Sequence, residues 1–145
     1  MAMTNPAFDP DPKQVRVLKL FLIATLAVGA VASLAAKPPL VLVPYWAITP
    51  IWTLWYGLMA LAGWLAWKRA GLRSPAMILY AVQLALNLAW RLVPVPASGL
   101  AMDLCLLATA ILFARRNLVA ALTLLPCVIW SLFVSLPMIG LGRLN

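Results

Sequence analysis

The sequence has no histidine and no glutamate, and its only acidic residues are Asp9, Asp11 and Asp103. This scarcity excludes a histidine-based metal site, a Ser-His-Asp triad and a pair of membrane-embedded carboxylates within one chain. The two cysteines, Cys105 and Cys127, both lie inside apolar stretches, which is typical of inert buried thiols. We therefore expect no catalytic residues and no metal ligands.

Charge is scarce overall, while hydrophobic residues dominate. Of the 145 residues, 10% are charged and 66% are hydrophobic. The charged residues separate apolar stretches that are long enough to cross a bilayer, which takes about 20 residues. This pattern predicts an all-α polytopic membrane protein, a single five-transmembrane-helix bundle over residues 1–145. The net charge of +8 comes from Lys and Arg at helix ends, so we expect a lipid bilayer and no nucleic acid as partner.

Prolines, charges and apolar periodicity place the elements along the chain. Residues 1–16 are predicted to be a mostly irregular tail, and residues 37–45 a first loop. The apolar residues of that loop indicate either a lid over the bundle or a position in the membrane interface. The five helices are expected at about 17–36, 46–67, 75–93, 100–114 and 118–141.

The basic residues also predict an orientation. Eight Lys and Arg fall on one side of the predicted bundle and three on the other. The positive-inside rule then places the N-terminus in the cytoplasm and the C-terminus outside. We expect a bacterial inner membrane, with a mitochondrial membrane as the alternative.

An aromatic stretch broken by prolines opens the second helix. It carries Trp46, Trp52, Trp55 and Tyr56. At about 100° per residue, Trp52 and Tyr56 share one face of the helix. Two interpretations stay open: an aromatic belt at the lipid–water boundary, or one wall of a flat ligand cavity.

The third helix has a polar face and a small-residue face. Gln83, Asn87 and Trp90 are spaced i, i+4 and i+7, and buried amides need hydrogen-bonding partners. This face should therefore look into the bundle, either holding helices together or anchoring a ligand. The opposite face permits close helix approach, as ordinary packing or as a dimer contact. Its residues are Ala81, Ala85 and Ala89.

Two charged residues flank the predicted turn between the third and fourth helices. Asp103 is the only acid within a predicted span, and Arg91 ends the third helix on the same side. We expect a structural ion pair between them. A proton relay is the alternative, although a relay normally needs further ionisable partners.

Seven short motifs occur in order over roughly residues 37–145. They are Lys37-Pro38, Pro44-x-Trp46-x-x-x-Pro50, Trp52-Thr53-x-x-Tyr56-x-Leu58-Met59, Gln83-Leu84-x-Leu86-Asn87-x-x-Trp90, Leu100-Ala101-x-Asp103, Pro126-x-x-x-Trp130 and Arg143-Leu144-Asn145. Together, and with five predicted spans, they resemble the translocator protein family, also called TspO or tryptophan-rich sensory protein.

The resemblance implies a five-helix bundle, commonly a homodimer. It also implies a pocket that opens toward the first loop and binds porphyrins, sterols and synthetic ligands of the benzodiazepine-site type. No cofactor is required, and a porphyrin or haem-type ligand is expected. The ligand contacts implied by motif position are Trp46, Ile48, Thr49, Trp52, Asn87, Trp90, Trp130 and Val134.

The chain also departs from the family pattern. Cys127, Pro137, Met138 and Gly142 replace residue types common in the family, and no tyrosine follows Tyr80. A proposed cholesterol pattern needs such a tyrosine, so a porphyrin is expected rather than a sterol. Three functions stay open: a receptor, sensor or carrier of tetrapyrroles, an accessory or assembly subunit of a larger membrane complex, and porphyrin breakdown.

Overall fold

The computed structural model describes residues 11–35, 45–92 and 96–141, with side chains over 11–34, 49–89 and 99–133. These residues form five helices and, within those ranges, no strand. The prediction of an all-α five-helix membrane bundle is confirmed. The helices are α1 (Pro12–Ala35), α2 (Tyr45–Ala70), α3 (Pro75–Leu92), α4 (Pro96–Ala114) and α5 (Leu118–Leu141).

Local capping explains several of these boundaries. Asp11 Oδ1 accepts a hydrogen bond from the Lys13 backbone N–H at 3.0 Å, and Ser74 Oγ accepts one from the Met77 N–H at 3.3 Å. Each cap precedes a proline at the first helical position, where the missing N–H costs nothing. At the end of α2, Gly71 adopts a φ of 74°, a left-handed conformation that suits glycine.

Two helices begin earlier than the sequence predicts. α1 begins at Pro12, inside the stretch predicted to be an irregular tail to residue 16. α4 begins at Pro96, inside the stretch predicted to be a turn. In both cases the helix begins at a proline predicted to lie in an irregular segment, because proline is well tolerated as the first residue of a helix. α2 also extends to Ala70, whereas α5 has the predicted bounds.

The helices form a closed ring in the order α1, α2, α5, α4, α3, with α3 returning to α1. Consecutive helices run antiparallel. Contacts between chain-distant helices close the ring: α2 lies against α5, and α1 against α3. The helix termini that carry Lys13, Lys68, Arg73 and Arg115 therefore lie together at one end of the bundle, which we call the basic end. The opposite end is where α2 and α4 begin.

Tyr80 of α3 ties three helices together near the middle of the ring. Its hydroxyl donates to the Met59 backbone oxygen at 2.9 Å and lies 3.3 Å from Thr25 Oγ1. Gly63 allows this approach, because a Cβ there would lie 2.7 Å from the Tyr80 ring. Gly29 plays the same part for Tyr56, whose ring would lie 2.5 Å from an added Cβ.

The outside of the bundle is apolar, while several polar side chains are buried inside it. Gln83 and Asp103 are 1% and 3% exposed, whereas Ile23 is 66% and Leu54 64% exposed. This distribution suits a hydrocarbon surrounding, in which outward leucines and isoleucines cost nothing. By length and hydropathy alone, one helix of the described residues, Pro12–Leu34, is long and apolar enough to cross a membrane.

Candidate functional site

One turn of α2 gathers the aromatic residues that the sequence points to. Trp52 and Tyr56 pack with ring centroids 6.5 Å apart and planes tilted by 34°. Trp55, on the same turn, points toward α5 and packs against Trp130 with centroids 5.9 Å apart. This turn therefore contacts two neighbours at once, and we call Trp52, Trp55, Tyr56, Asn87 and Trp130 the aromatic site.

A hydrogen bond across the ring fixes the α3 side of the site. The Tyr56 hydroxyl donates to Asn87 Oδ1 over 2.8 Å. Tyr56 is buried, at 5% exposure, and its ring rests on the glycine backbone at Gly29. The hydrogen bond from the buried Tyr56 orients the half-buried Asn87 amide, because the carbonyl oxygen is the acceptor and the NH2 group faces the other way.

The α5 side of the site holds two unused hydrogen-bond donors. Trp55 Nε1 and Trp130 Nε1 are both buried and, among the described residues, neither has an acceptor. A buried indole N–H usually finds a hydrogen-bond acceptor, and a buried donor left without an acceptor costs about 1–3 kcal/mol. Two such donors on packed indoles mark a place suited to an acceptor atom that the described chain does not supply.

A third orphaned atom lies deeper between α2 and α3. Gln83 Oε1 is buried without a donor among the described side chains. Its amide nitrogen lies 4.0 Å from Met59 Sδ, which is a weak contact because a thioether is a poor acceptor. Gln83 is thus a buried amide with little of its hydrogen-bonding capacity used.

Asp103 is joined to α5. Its Oδ1 accepts a hydrogen bond from Ser131 Oγ, and the carboxylate is 3% exposed. Because α4 begins at Pro96, Asp103 lies about two turns inside the helix and not one, as the predicted boundary implies. The side chain of Arg91, its predicted partner, lies outside the described residues.

The aromatic rings of the site pack on one another. Trp130 also packs on Phe133, with centroids 6.1 Å apart. An open groove of about 640 Å³ lies instead on the outer face of α2, lined by residues such as Thr53, Gly57 and Leu61. A ligand that inserts between the packed rings of the aromatic site would have to separate them. Within the described ranges, no three Cys or Asp side chains come together as a metal site.

The predicted ligand contacts divide into those the structure places and those it does not. Trp52, Asn87 and Trp130 are brought to the aromatic site, while Thr49 is exposed at the start of α2. Gln83 is buried, and the alanine face of α3 is exposed at Ala81, Ala85 and Ala89. The side chains of Trp46, Ile48, Trp90 and Val134, and the first loop to residue 44, lie outside the described residues.

Three residues of this region are absent from the predicted contact set. Tyr56 and Trp55 lie one turn from Trp52, so i+3 and i+4 spacing identifies them once Trp52 is chosen. Ser131 gives no comparable signal, because its role depends on the approach of α4 to α5. The spacing of residues within one helix does not identify which residues of a chain-distant helix they contact.

Comparison with known proteins agrees with this architecture. The sequence profile of the TspO/MBR family matches residues 15–143, which is most of the chain. The chain belongs to the TspO/MBR family. It is 33% identical over 147 aligned positions to the tryptophan-rich protein TspO of Chlorobaculum tepidum, covering 85% of this chain and 92% of that protein. It is 29% identical over 143 positions to the tryptophan-rich protein TspO of Archaeoglobus fulgidus, covering 83% and 93%.

As a member of the TspO/MBR family, this chain belongs to a group of membrane-associated, tryptophan-rich proteins. The family profile runs from within α1 to beyond the end of α5 and includes the turn of α2 that carries Trp52 and Trp55. The aromatic site thus lies within the matched region, and not in an appended segment.

Proposed function

We propose that this TspO/MBR protein is a membrane receptor, sensor or carrier that binds a planar, mostly apolar ligand of the tetrapyrrole class at the aromatic site. The observation that carries the proposal is the pair of buried, unpartnered donors at Trp55 Nε1 and Trp130 Nε1. A flat ring stacks on indole faces, and an acceptor on the ring's edge would satisfy the two N–H groups.

The tetrapyrrole class combines both features, since it has a wide planar ring and carboxylate substituents. The α3 side of the aromatic site would contribute the Asn87 amide, which Tyr56 orients through the 2.8 Å hydrogen bond. Ligand entry would separate Trp52 from Tyr56 or Trp55 from Trp130, because those rings now occupy the space. Binding would then replace contacts between aromatic side chains by contacts with the ligand.

The test is a titration of purified protein with protoporphyrin IX, followed through the absorption band of the porphyrin. Trp55→Phe and Trp130→Phe keep an aromatic ring and remove one N–H each. A lost hydrogen bond of about 1 kcal/mol corresponds to about a fivefold weaker affinity. The matched control is Trp64→Phe, at the basic end, whose Nε1 donates to the Gln14 backbone oxygen at 3.1 Å.

Unchanged affinity in both site variants would contradict the proposed role of the indole donors. Saturable binding that weakens in Trp64→Phe as much as in Trp130→Phe would place the ligand elsewhere. Repeating the titration under illumination also tests porphyrin breakdown, which would bleach the porphyrin faster with protein than with detergent alone.

A second candidate is a structural role as an accessory or assembly subunit of a larger membrane complex. The observation that favours it is the exposed small-residue face of α3 at Ala81, Ala85 and Ala89. Small residues let helix backbones approach closely in a membrane. Ala85→Leu is expected to disrupt such a contact. A different membrane protein that co-purifies in mild detergent would support this role, and a clean homodimer would count against it.

We also propose a bacterial inner membrane location, with the basic end in the cytoplasm. The eight basic residues of that end support it through the positive-inside rule. A cysteine accessibility assay on residue 115, with Arg115→Cys in a chain whose two native cysteines are replaced, would test the orientation. If an impermeant reagent added from the periplasmic side labels residue 115, the proposed orientation is wrong and the basic end faces the periplasm.

A further inference from the structure

A groove at the basic end lies between the start of α1 and the end of α2. Its volume is about 570 Å³, within the range of about 300–1,000 Å³ that small-molecule sites occupy. It combines cationic side chains with an aromatic wall. We call it the basic groove, and its lining includes Asp11, Lys13, Gln14, Trp67, Lys68 and Arg69.

We propose that the basic groove binds the headgroup of an anionic phospholipid. Three cations line it, Lys13, Lys68 and Arg69, and all three are exposed. The one carboxylate in the lining, Asp11, already accepts the Lys13 backbone N–H at 3.0 Å. Within the described ranges, no salt bridge neutralises the three cations, so the groove carries a net positive charge that complements a phosphodiester.

The walls of the groove are held in place. Trp64 of α2 donates its indole N–H to the Gln14 backbone oxygen of α1 over 3.1 Å. Lys68 Nζ lies 4.5 Å above the Trp64 ring, a cation–π contact that restrains its ammonium group beside the groove. The site is therefore partly preorganised, which lowers the entropy cost of binding.

The height of the groove along the bundle favours a lipid over a soluble anion. Leu20 of α1 is 59% exposed on the outer surface of the bundle. It follows Lys13 by seven residues, which corresponds to a rise of about 10 Å along the helix. An apolar helix surface thus begins about 10 Å from the cations. A phospholipid places its phosphate and its acyl chains at a comparable separation, whereas a free phosphate ion has nothing to cover that surface.

The experiment compares lipid binding by native mass spectrometry of the full-length protein, with phosphatidylglycerol and phosphatidylcholine titrated separately. We expect the intact protein to bind phosphatidylglycerol more tightly. Each basic residue near a membrane surface is worth about a fivefold change in affinity for an anionic lipid. The variant Lys68→Gln/Arg69→Gln should therefore bind phosphatidylglycerol about 25-fold more weakly, and Lys13→Gln, on the opposite wall, about fivefold more weakly.

The control is Arg115→Gln/Arg116→Gln, which removes the same charge from the exposed α4–α5 turn at the same end. It should keep the preference for phosphatidylglycerol. Equal losses in the two double variants would mean diffuse electrostatic attraction and would overturn a defined site. Competition by inorganic phosphate at the lipid's concentration would identify a free anion as the occupant and would overturn the lipid assignment. Equal affinity of the intact protein for both lipids would overturn the proposal altogether.

Discussion

Gly29 of α1 is the position where one added methyl group should do the most damage to the aromatic site. An added Cβ would lie 2.5, 2.6 and 2.9 Å from three atoms of the Tyr56 ring. Carbon atoms pack at about 3.5–4.0 Å, so the ring would have to move by about 1 Å. Tyr56 is 5% exposed and bound to Asn87, which leaves it little freedom to move.

The net effect is the difference between two opposing contributions. Overpacking of a well-filled interior costs about 1–3 kcal/mol, and losing the Tyr56–Asn87 hydrogen bond adds about 0.5–1.5 kcal/mol. Alanine in place of glycine inside a helix gains back about 0.8–1 kcal/mol. We therefore expect Gly29→Ala to lower the free energy of unfolding by about 0.5–4 kcal/mol.

Gly57→Ala is the matched control, because a Cβ at Gly57 meets nothing within 4 Å. There only the helix-propensity gain remains, so this variant should be as stable as the parent or more stable. Both are measured by thermal unfolding in detergent with a thiol-reactive dye, which reports exposure of the buried thiols Cys105 and Cys127. If Gly29→Ala melts at the same temperature as Gly57→Ala, the close packing of α1 on Tyr56 is wrong.

Two further predictions concern the buried polar side chains. Gln83→Met should leave thermal stability unchanged or raise it. The Gln83 Oε1 atom has no donor in the described structure, and methionine is an apolar side chain of similar size. A melting midpoint lowered by several degrees would show that the amide is satisfied. Ser131→Ala should destabilise by about 1.5–3 kcal/mol, because it deprives the buried Asp103 carboxylate of its donor. Thr123→Ala on the same helix should be near neutral, since its hydroxyl only bonds the Val119 carbonyl of its own helix, and equal melting of the two variants would contradict the role given to Asp103.

The sequence predicts the elements of this fold well, because their signals are local. Apolar length and flanking charge locate five helices, and Ser74-Pro75 marks the start of α3 at the observed residue. The misplaced starts at Pro12 and Pro96 have a common cause. A proline both breaks a helix and serves well as its first residue, and composition does not distinguish the two uses.

The partners inside the ring are harder to predict from the sequence. Apart from α3, whose polar face is visible in the sequence, the helices are apolar nearly all round, so their hydrophobic pattern does not say which faces meet. The helical spacing of Gln83 and Asn87 indicates a shared face, but not that Asn87 accepts from Tyr56. The aromatic stretch of α2 leaves both a belt and a cavity wall open. The buried indole nitrogens of Trp55 and Trp130 favour the cavity wall, because belt indoles keep their N–H groups near water.

The most direct test of a ligand at the aromatic site is to observe the indole N–H groups themselves. The protein labelled with 15N at its tryptophan side chains, in detergent micelles, should give seven indole resonances, one for each tryptophan. Trp55→Phe, Trp130→Phe and Trp64→Phe assign three of them. On titration with protoporphyrin IX, we expect the Trp55 and Trp130 protons to move downfield as they gain an acceptor, while the Trp64 proton stays in place. Unmoved Trp55 and Trp130 resonances at saturating ligand would contradict the proposed site.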